Sequence, residues 1–444
     1  MDTADRSVSE APPLSPRLNA QLSLMMFLQY AIWGAWLPLL WPFLKNVREF
    51  DGGQIGDMFA VGAVGALVAP FIAGQVADRF FNTEKFLGIS HLLGAVLVWQ
   101  LASVETYGGF LAFSLVYSLI YSPTLSLTNS LAFHHVPDRD RDFGKVRLWG
   151  TIGWIVAGIL IGQWLANYYG QERVYEGMGD AFRLSAMLGG ALGLFCLFGL
   201  PKTPPTPGEK KNATFEALGE VKRQPLITLF LLAVPVSCIH QFYFVHTAGF
   251  LNELQTNVSG EGLANAINKV FGYGGGGLMT IGQMVEIAVL AAIPFVAKSM
   301  SRKSLLALGL AAYALRMALF AYAPAWGSLA LPAVIAGVGL HGFCFGCFIF
   351  VAFMVVDEET TEDVRASAQS LFNLVIVGIG IIVGSKIAGS VSEWAAAGAV
   401  EGEPWYGTFT RLFSIPMWAS LVCLVLLLVF YRSRRDGTPE GQTA

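Results

Sequence analysis

Long apolar runs alternate with short polar breaks along almost the whole chain. Twelve of the runs approach the roughly 20 residues a helix needs to cross a bilayer core about 30 Å thick. They fall at 20–44, 55–77, 86–104, 108–133, 147–167, 182–200, 226–251, 278–297, 304–323, 327–355, 369–392 and 411–431. The longest polar break, Pro201 to Gln224, carries Thr203-Pro204-Pro205-Thr206-Pro207 and Lys210-Lys211 and divides the spans six and six. The pattern predicts an all-α polytopic membrane protein of twelve transmembrane helices in two six-helix halves. Its expected parts are an N-tail at 1–19, a first half at 20–200, a linker at 201–225, a second half at 226–431 and a C-tail at 432–444.

Composition strengthens that reading. Charged residues make up 13% of the 444, about half the roughly 25% of a soluble domain, so most of the surface must face something other than water. The 49 glycines and 13% aromatic residues suit helices that approach closely through small residues and anchor at interfaces through Trp and Tyr. A net charge of -3 argues against nucleic acid as a partner, because phosphate neutralisation needs a concentrated basic surface. The cysteines Cys196, Cys238, Cys344, Cys347 and Cys423 sit inside apolar stretches and read as packing residues. Cys344 and Cys347 form a C-x-x-C flanked by Phe343, Phe345 and Phe348, with no second ligand pair to hold a metal. Met1 to Pro16 is polar, with acidic residues where a signal peptide would be basic, so no cleaved leader is expected.

The distribution of Lys and Arg sets orientation, since cytoplasmic loops retain positive charge. With the N-terminus inside, the inside segments hold 20 Lys and Arg and the outside loops 6. Both termini of the multi-pass chain are therefore expected in the cytoplasm. Two six-helix halves on a cytoplasmic linker form the major facilitator architecture, in which the halves rock about a midplane site. After span two, Gly74-Gln75-Val76-Ala77-Asp78-Arg79 resembles the signature turn of that superfamily. There Asp78 and Arg79 would act as a releasable latch between the halves, or simply as a solvated acid–base pair.

Ionisable groups at bilayer depth are costly and mark cavities, pairs or proton paths. Arg147, Thr151 and Trp154 fall at i, i+4 and i+7, one face of span five. A cation, a hydroxyl and an indole on one stripe suit a planar ligand rich in acceptors; equally, Arg147 can snorkel to headgroups as an interfacial anchor. In span eight Gln283 and Glu286 share a face, and Glu286 is the carboxylate placed deepest in a span. Desolvation disfavours its charged form, which suits a group that binds and releases a proton. A static ion pair with Arg316 or Lys386 is the alternative. Span one adds Gln29, Trp33 and Trp36 on a single face beside Tyr30. His240, Gln241 and His246 lie in span seven and His341 in span ten, where a histidine serves either as a structural donor or as a relay. Gly274 to Gly277, with no Lys-Ser/Thr behind them, read as a flexible hinge.

The chain resembles the nucleoside:proton symporter family of bacterial major facilitators. The resemblance rests on Phe27-Leu28-Gln29-Tyr30-Ala31-Ile32-Trp33-Gly34-Ala35-Trp36-Leu37, Pro123-Thr124-Leu125 with Asn129, and Arg147-Leu148-Trp149-Gly150-Thr151-Ile152-Gly153. In the second half it continues through Gln283-x-x-Glu286, Arg316-x-Ala318-Leu319-Phe320-Ala321-Tyr322 and Arg365-Ala366-Ser367-Ala368-Gln369. It implies that Arg147, Thr151 and Trp154 line a substrate pocket from the first half and Gln241, Gln283 and Glu286 from the second, with Glu286 as the protonation site. Gln29, Trp33, His341 and Phe345 complete the expected site, and no cofactor is implied.

Three positions depart from the family pattern. Gly346 follows Phe345 where an acid is expected, Phe244 stands where an amide is expected one turn after Gln241, and His341 replaces a Tyr. Lost hydrogen-bonding capacity would favour a nucleobase-like, modified or less hydroxylated ligand. The expected function is therefore proton-coupled import of a nucleoside or related small polar solute by alternating access. A sugar or glycoside transporter and a non-transporting receptor on the same scaffold are the alternatives. No H-E-x-x-H, no G-x-S-x-G and no complete metal ligand set points to an enzyme. Many such transporters work as monomers.

Overall fold

The computed structural model describes residues 12–72, 82–204, 221–258, 262–361 and 365–432. Among these residues the chain is helical throughout and contains no strand. The first six spans are α1 (Pro16–Asn46), α2 (Gly52–Ile72), α3 (Thr83–Leu101), α4 (Tyr107–His135), α5 (Arg139–Trp164) and α6 (Asp180–Phe198). The second six are α7 (Leu226–Asn257), α8 (Gly276–Val296), α9 (Arg302–Tyr322), α10 (Gly327–Glu359), α11 (Ala368–Ala397) and α12 (Gly407–Phe430). Eleven of the twelve are long and apolar enough to cross a membrane. The exception is α3, whose Glu84, Lys85, His91 and Gln100 dilute its apolar content. It still turns Ile89, Leu93 and Val96 outward on one stripe, as a lipid-facing helix does.

Local chemistry starts several of these helices. Ser15 accepts from the Leu18 N–H at 3.3 Å ahead of a Pro at the first helical position of α1, and Asp138 accepts from the Arg141 N–H at 3.0 Å at the head of α5. Pro38 places a 3₁₀ turn, Leu37–Leu39, inside α1. A short helix, Leu263–Phe271, which hydropathy alone does not suggest, leads into α8. The glycine run before α8 is a tied turn rather than a loose hinge. Gly272, Gly274 and Gly275 all adopt positive φ, the Gln255 amide donates to Gly272 O at 2.8 Å, and its Oε1 accepts from Gly275 N–H at 3.2 Å.

Successive spans run antiparallel, so odd-numbered helices leave the end where α1 begins, the terminal end, and arrive at the opposite, far end. Within the first half α1 lies along α5, and a Cβ on Gly34 would stand 2.7 Å from Trp154 Cα. Between the halves, α2 packs on α11 and α5 on α8. The hydrogen bonds that join the halves between described residues lie at the far end. Gln163 donates to Lys269 O and Val270 O, each at 2.7 Å, and Tyr175 donates to Glu253 at 3.2 Å. Glu393 accepts from Gly53 N–H at 2.7 Å at the start of α2, and Lys386 pairs with Asp57.

Candidate functional site

Midway along the bundle the two halves part around a cavity of ≈ 380 Å³, within the size range of small-molecule sites. Its first-half wall is aromatic. Trp33 of α1 meets Trp154 of α5 edge to face at 6.4 Å and Tyr121 of α4 at 5.3 Å. Tyr121 stacks in turn on Tyr117. The Arg147 guanidinium lies 4.1 Å over the Tyr30 ring, and Thr151 lines the cavity one turn further along α5. This contact turns Arg147 to the cavity rather than to an interfacial anchor's position. Stacked on Tyr30, the guanidinium keeps its N–H donors for a ligand.

The second-half wall sets polar groups among apolar ones. Gln241 of α7, Gln283 and Glu286 of α8, and His341 and Phe345 of α10 face the same cavity. The Gln241 Oε1 accepts from Ser385 at 3.3 Å, while the buried Gln283 Oε1 has no hydrogen-bond partner among the described residues. Glu286 is 15% exposed, with its carboxylate 3.5 Å from His341 Nε2. Close helix approach sets that pair: a Cβ on Gly342 would stand 2.6 Å from Glu286 N. Arg147 is near enough across the cavity to attract the Glu286 carboxylate. Two of the four second-half helices that line the cavity carry π-helical stretches there, Cys344–Phe350 in α10 and Leu374–Ile379 in α11. Such stretches recur at functional sites.

Several expectations need correction. Gln29 does not face the cavity: fully buried, it donates to Thr124 at 2.9 Å inside the first half, and the cavity stripe of α1 runs through Tyr30, Trp33 and Leu37. Neither static partner proposed for Glu286 reaches it. Lys386 pairs with Asp57 at the far end, and Arg316 contacts His341 instead. Gly346 does not line the cavity but is buried against Val289 of α8, so its lack of an acid leaves the cavity wall unchanged. Phe244 does line it. His246 bonds Ala388 O at 3.0 Å and packs on Trp41, so it is a structural tie. Cys344 and Cys347 are free, buried thiols. Among the described residues no cluster of three or more His, Cys, Asp or Glu is placed to hold a metal. Asp78 and Arg79 lie outside the described residues.

The sequence reading also left Tyr121, Tyr117 and Ser237 out of the wall they help to form. Tyr117 and Tyr121 are four apart in one span, and that spacing was the available signal.

A twelve-helix bundle of two halves, with a cavity at its midplane lined by both, defines a polytopic major facilitator transporter rather than an enzyme. Residues 17–436 match the family model described as nucleoside H+ symporter, and the chain belongs to that family. It is 33% identical over 428 residues to the transporter YegT of Escherichia coli K12, covering 94% of each chain. It is 28% identical to the xanthosine permease of the same organism, covering 95% of this chain and 97% of that one. The crystal structure of the nucleoside transporter NupG superposes with a TM-score of 0.80 at 24% identity, over 94% of this chain and 100% of that one.

Proposed function

We propose that this chain imports a nucleoside with a proton by alternating access, using the residues of the cavity just described. One observation carries the site assignment: an aromatic wall with a cation, Trp33, Trp154 and Arg147, faces a wall of two amides and a carboxylate, Gln241, Gln283 and Glu286, across a space of ≈ 380 Å³. Indole faces suit a planar base, and the amides and guanidinium suit its carbonyls and the sugar hydroxyls. Glu286 is the one carboxylate among the cavity-lining residues, which makes it the proton-carrying group of this reading.

Sidedness supports the same reading. The excess of Lys and Arg, 20 against 6, favours a cytoplasmic terminal end. On this reading the far end, where the halves are bonded together, faces outward. A bacterial inner membrane fits relatives from Escherichia coli.

The test is uptake of labelled uridine and adenosine into proteoliposomes, with and without an inward proton gradient, in the presence of competing nucleobases, nucleosides and sugars. Gradient-driven uptake blocked by nucleosides is the expected result. Uptake blocked only by sugars, or ligand binding with no uptake, would overturn the assignment in favour of a glycoside carrier or a receptor.

A further inference from the structure

Behind the cavity wall lies a charge that transport of a neutral solute does not by itself require. Arg316 of α9 is fully buried, and among the described residues no carboxylate pairs with it. Its Nη1 is 3.2 Å from His341 Nδ1, and its plane lies 4.4 Å from the Tyr243 ring and 5.0 Å from the Tyr313 ring. Nε and Nη2 have no hydrogen-bond partner among the described residues. Burying a guanidinium this way is expensive, and aromatic faces recover only part of the cost.

The contact with His341 has a definite chemical sense. A guanidinium has five N–H donors and no acceptor. His341 Nδ1 must therefore be the acceptor, which places the ring proton on Nε2, and Nε2 is the atom that faces the Glu286 carboxylate at 3.5 Å. From this geometry we infer that His341 is a positioning residue: held by Arg316 as the neutral Nε2–H tautomer, it is a fixed donor that carries the influence of the buried cation to Glu286. The inference rests on the reading of Glu286 as the proton-carrying group.

The arrangement has a logic that a direct ion pair lacks. A carboxylate bound bidentately to Arg at about 2.8 Å is locked in its charged form. Spaced one imidazole away, Arg316 favours the ionised carboxylate while leaving its oxygens open to a proton. His341 itself is a poor proton carrier here. Taking a second proton would break the Arg316 bond and set two cations side by side. Among the described residues the other groups around the ring, all from α7, offer no anion to offset that: Tyr243, stacked at 4.5 Å, His240, stacked at 5.4 Å, and Phe244, edge to face at 5.8 Å. Glu286 from α8 is the one acid at the ring among the described residues, and Arg147 attracts it from the opposite half.

Two measurements on the full chain test this. With 15N-labelled histidine, the signal lost in His341→Gln identifies His341, and the native ring is expected to show an unprotonated Nδ1 and a protonated Nε2 between pH 8 and 6. An Nδ1–H tautomer or an imidazolium in that range overturns the proposal whatever the substrate proves to be. In proteoliposomes, the midpoint of nucleoside uptake against pH is expected to move upward by about one unit in Arg316→Met and in His341→Phe, the scale of a charge removed one ring away. Arg316→Lys, which keeps donor and charge, is expected to restore the native profile. Native midpoints in folded Arg316→Met and His341→Phe would overturn it. Failure of the native chain to take up any nucleoside would instead overturn the functional reading and leave the histidine spectrum to decide the tautomer.

Discussion

The two walls of the cavity are built on opposite plans. The first-half wall is helix without a π turn at the cavity: Gly34 leaves no room for a Cβ against Trp154, and that close approach holds Trp33 and Trp154 in fixed relative positions. The second-half wall interrupts its helices with π turns at Cys344–Phe350 and Leu374–Ile379 and holds a buried cation behind a histidine and an acid. Dense packing resists change, while a π turn stores an extra residue that a helix can shed by rotating. On the proposed reading the first wall recognises the ligand and the second couples its movement to a proton, so the two halves fail in different ways when altered.

That division is broken most directly by comparing Glu286→Gln with Trp154→Ala. If one proton accompanies each substrate, a pH difference of one unit supports about tenfold accumulation, about 1.4 kcal/mol. Glu286→Gln is expected to lose all of it while still exchanging labelled for unlabelled nucleoside down a gradient. Trp154→Ala is expected to weaken binding about tenfold, the scale of a lost base–aromatic stack, and to keep its gradient response. Calorimetric titration and proteoliposome accumulation, run side by side, read the two effects. A Glu286→Gln protein that still accumulates substrate would end the division of labour.

A smaller effect separates the cavity from the far-end closure. Lys386 of α11 pairs with Asp57 of α2, and Tyr107 donates to the same carboxylate at 2.9 Å. Lys386 is 59% exposed on its side chain, so the pair is worth about 0.2–1 kcal/mol. Lys386→Met is expected to raise the outward-open population by a factor of about 1.4 to 5, seen as a wider distance distribution between spin labels on α2 and α11. The charge exchange Asp57→Lys with Lys386→Asp is expected to bring the native distribution back. An unchanged distribution in Lys386→Met would show that helix packing through Gly52, Gly56 and Gly389 closes this end by itself.

Much of this was readable from the chain. Apolar run lengths and loop charges give a count of twelve spans, and costly polar groups at bilayer depth single out Arg147, Thr151, Gln283 and Glu286, which the fold brings to one cavity. What escaped was register. A face drawn at 3.6 residues per turn cannot distinguish Gln29, bonded to Thr124, from its neighbour Tyr30, which lines the cavity. It also cannot see that a π turn advances the helix by one residue after His341. The contact of Arg316 with His341 joins α9 to α10. No local pattern announces such a contact, because it depends on how two helices are rotated against each other.

Position 346 sharpens that lesson and yields the smallest effect on transport. Family resemblance leads to the expectation of an acid there, and its loss suggests a ligand with fewer hydroxyls. In the structure a Cβ on Gly346 would stand 2.7 Å from Val289 Cγ1, on the face of α10 turned to α8 and away from the cavity. Gly346→Asp would therefore bury an unpaired carboxyl against valine, at a cost of about 2–7 kcal/mol, and is expected to lower the melting temperature by several degrees without tightening nucleoside binding. The opposite result, an undiminished melting temperature with tighter binding of hydroxylated nucleosides, would mean that α10 sheds its π turn and rotates the new acid into the cavity. The second-half wall would then be adjustable by a single residue, through a π turn that the first-half wall does not carry at the cavity.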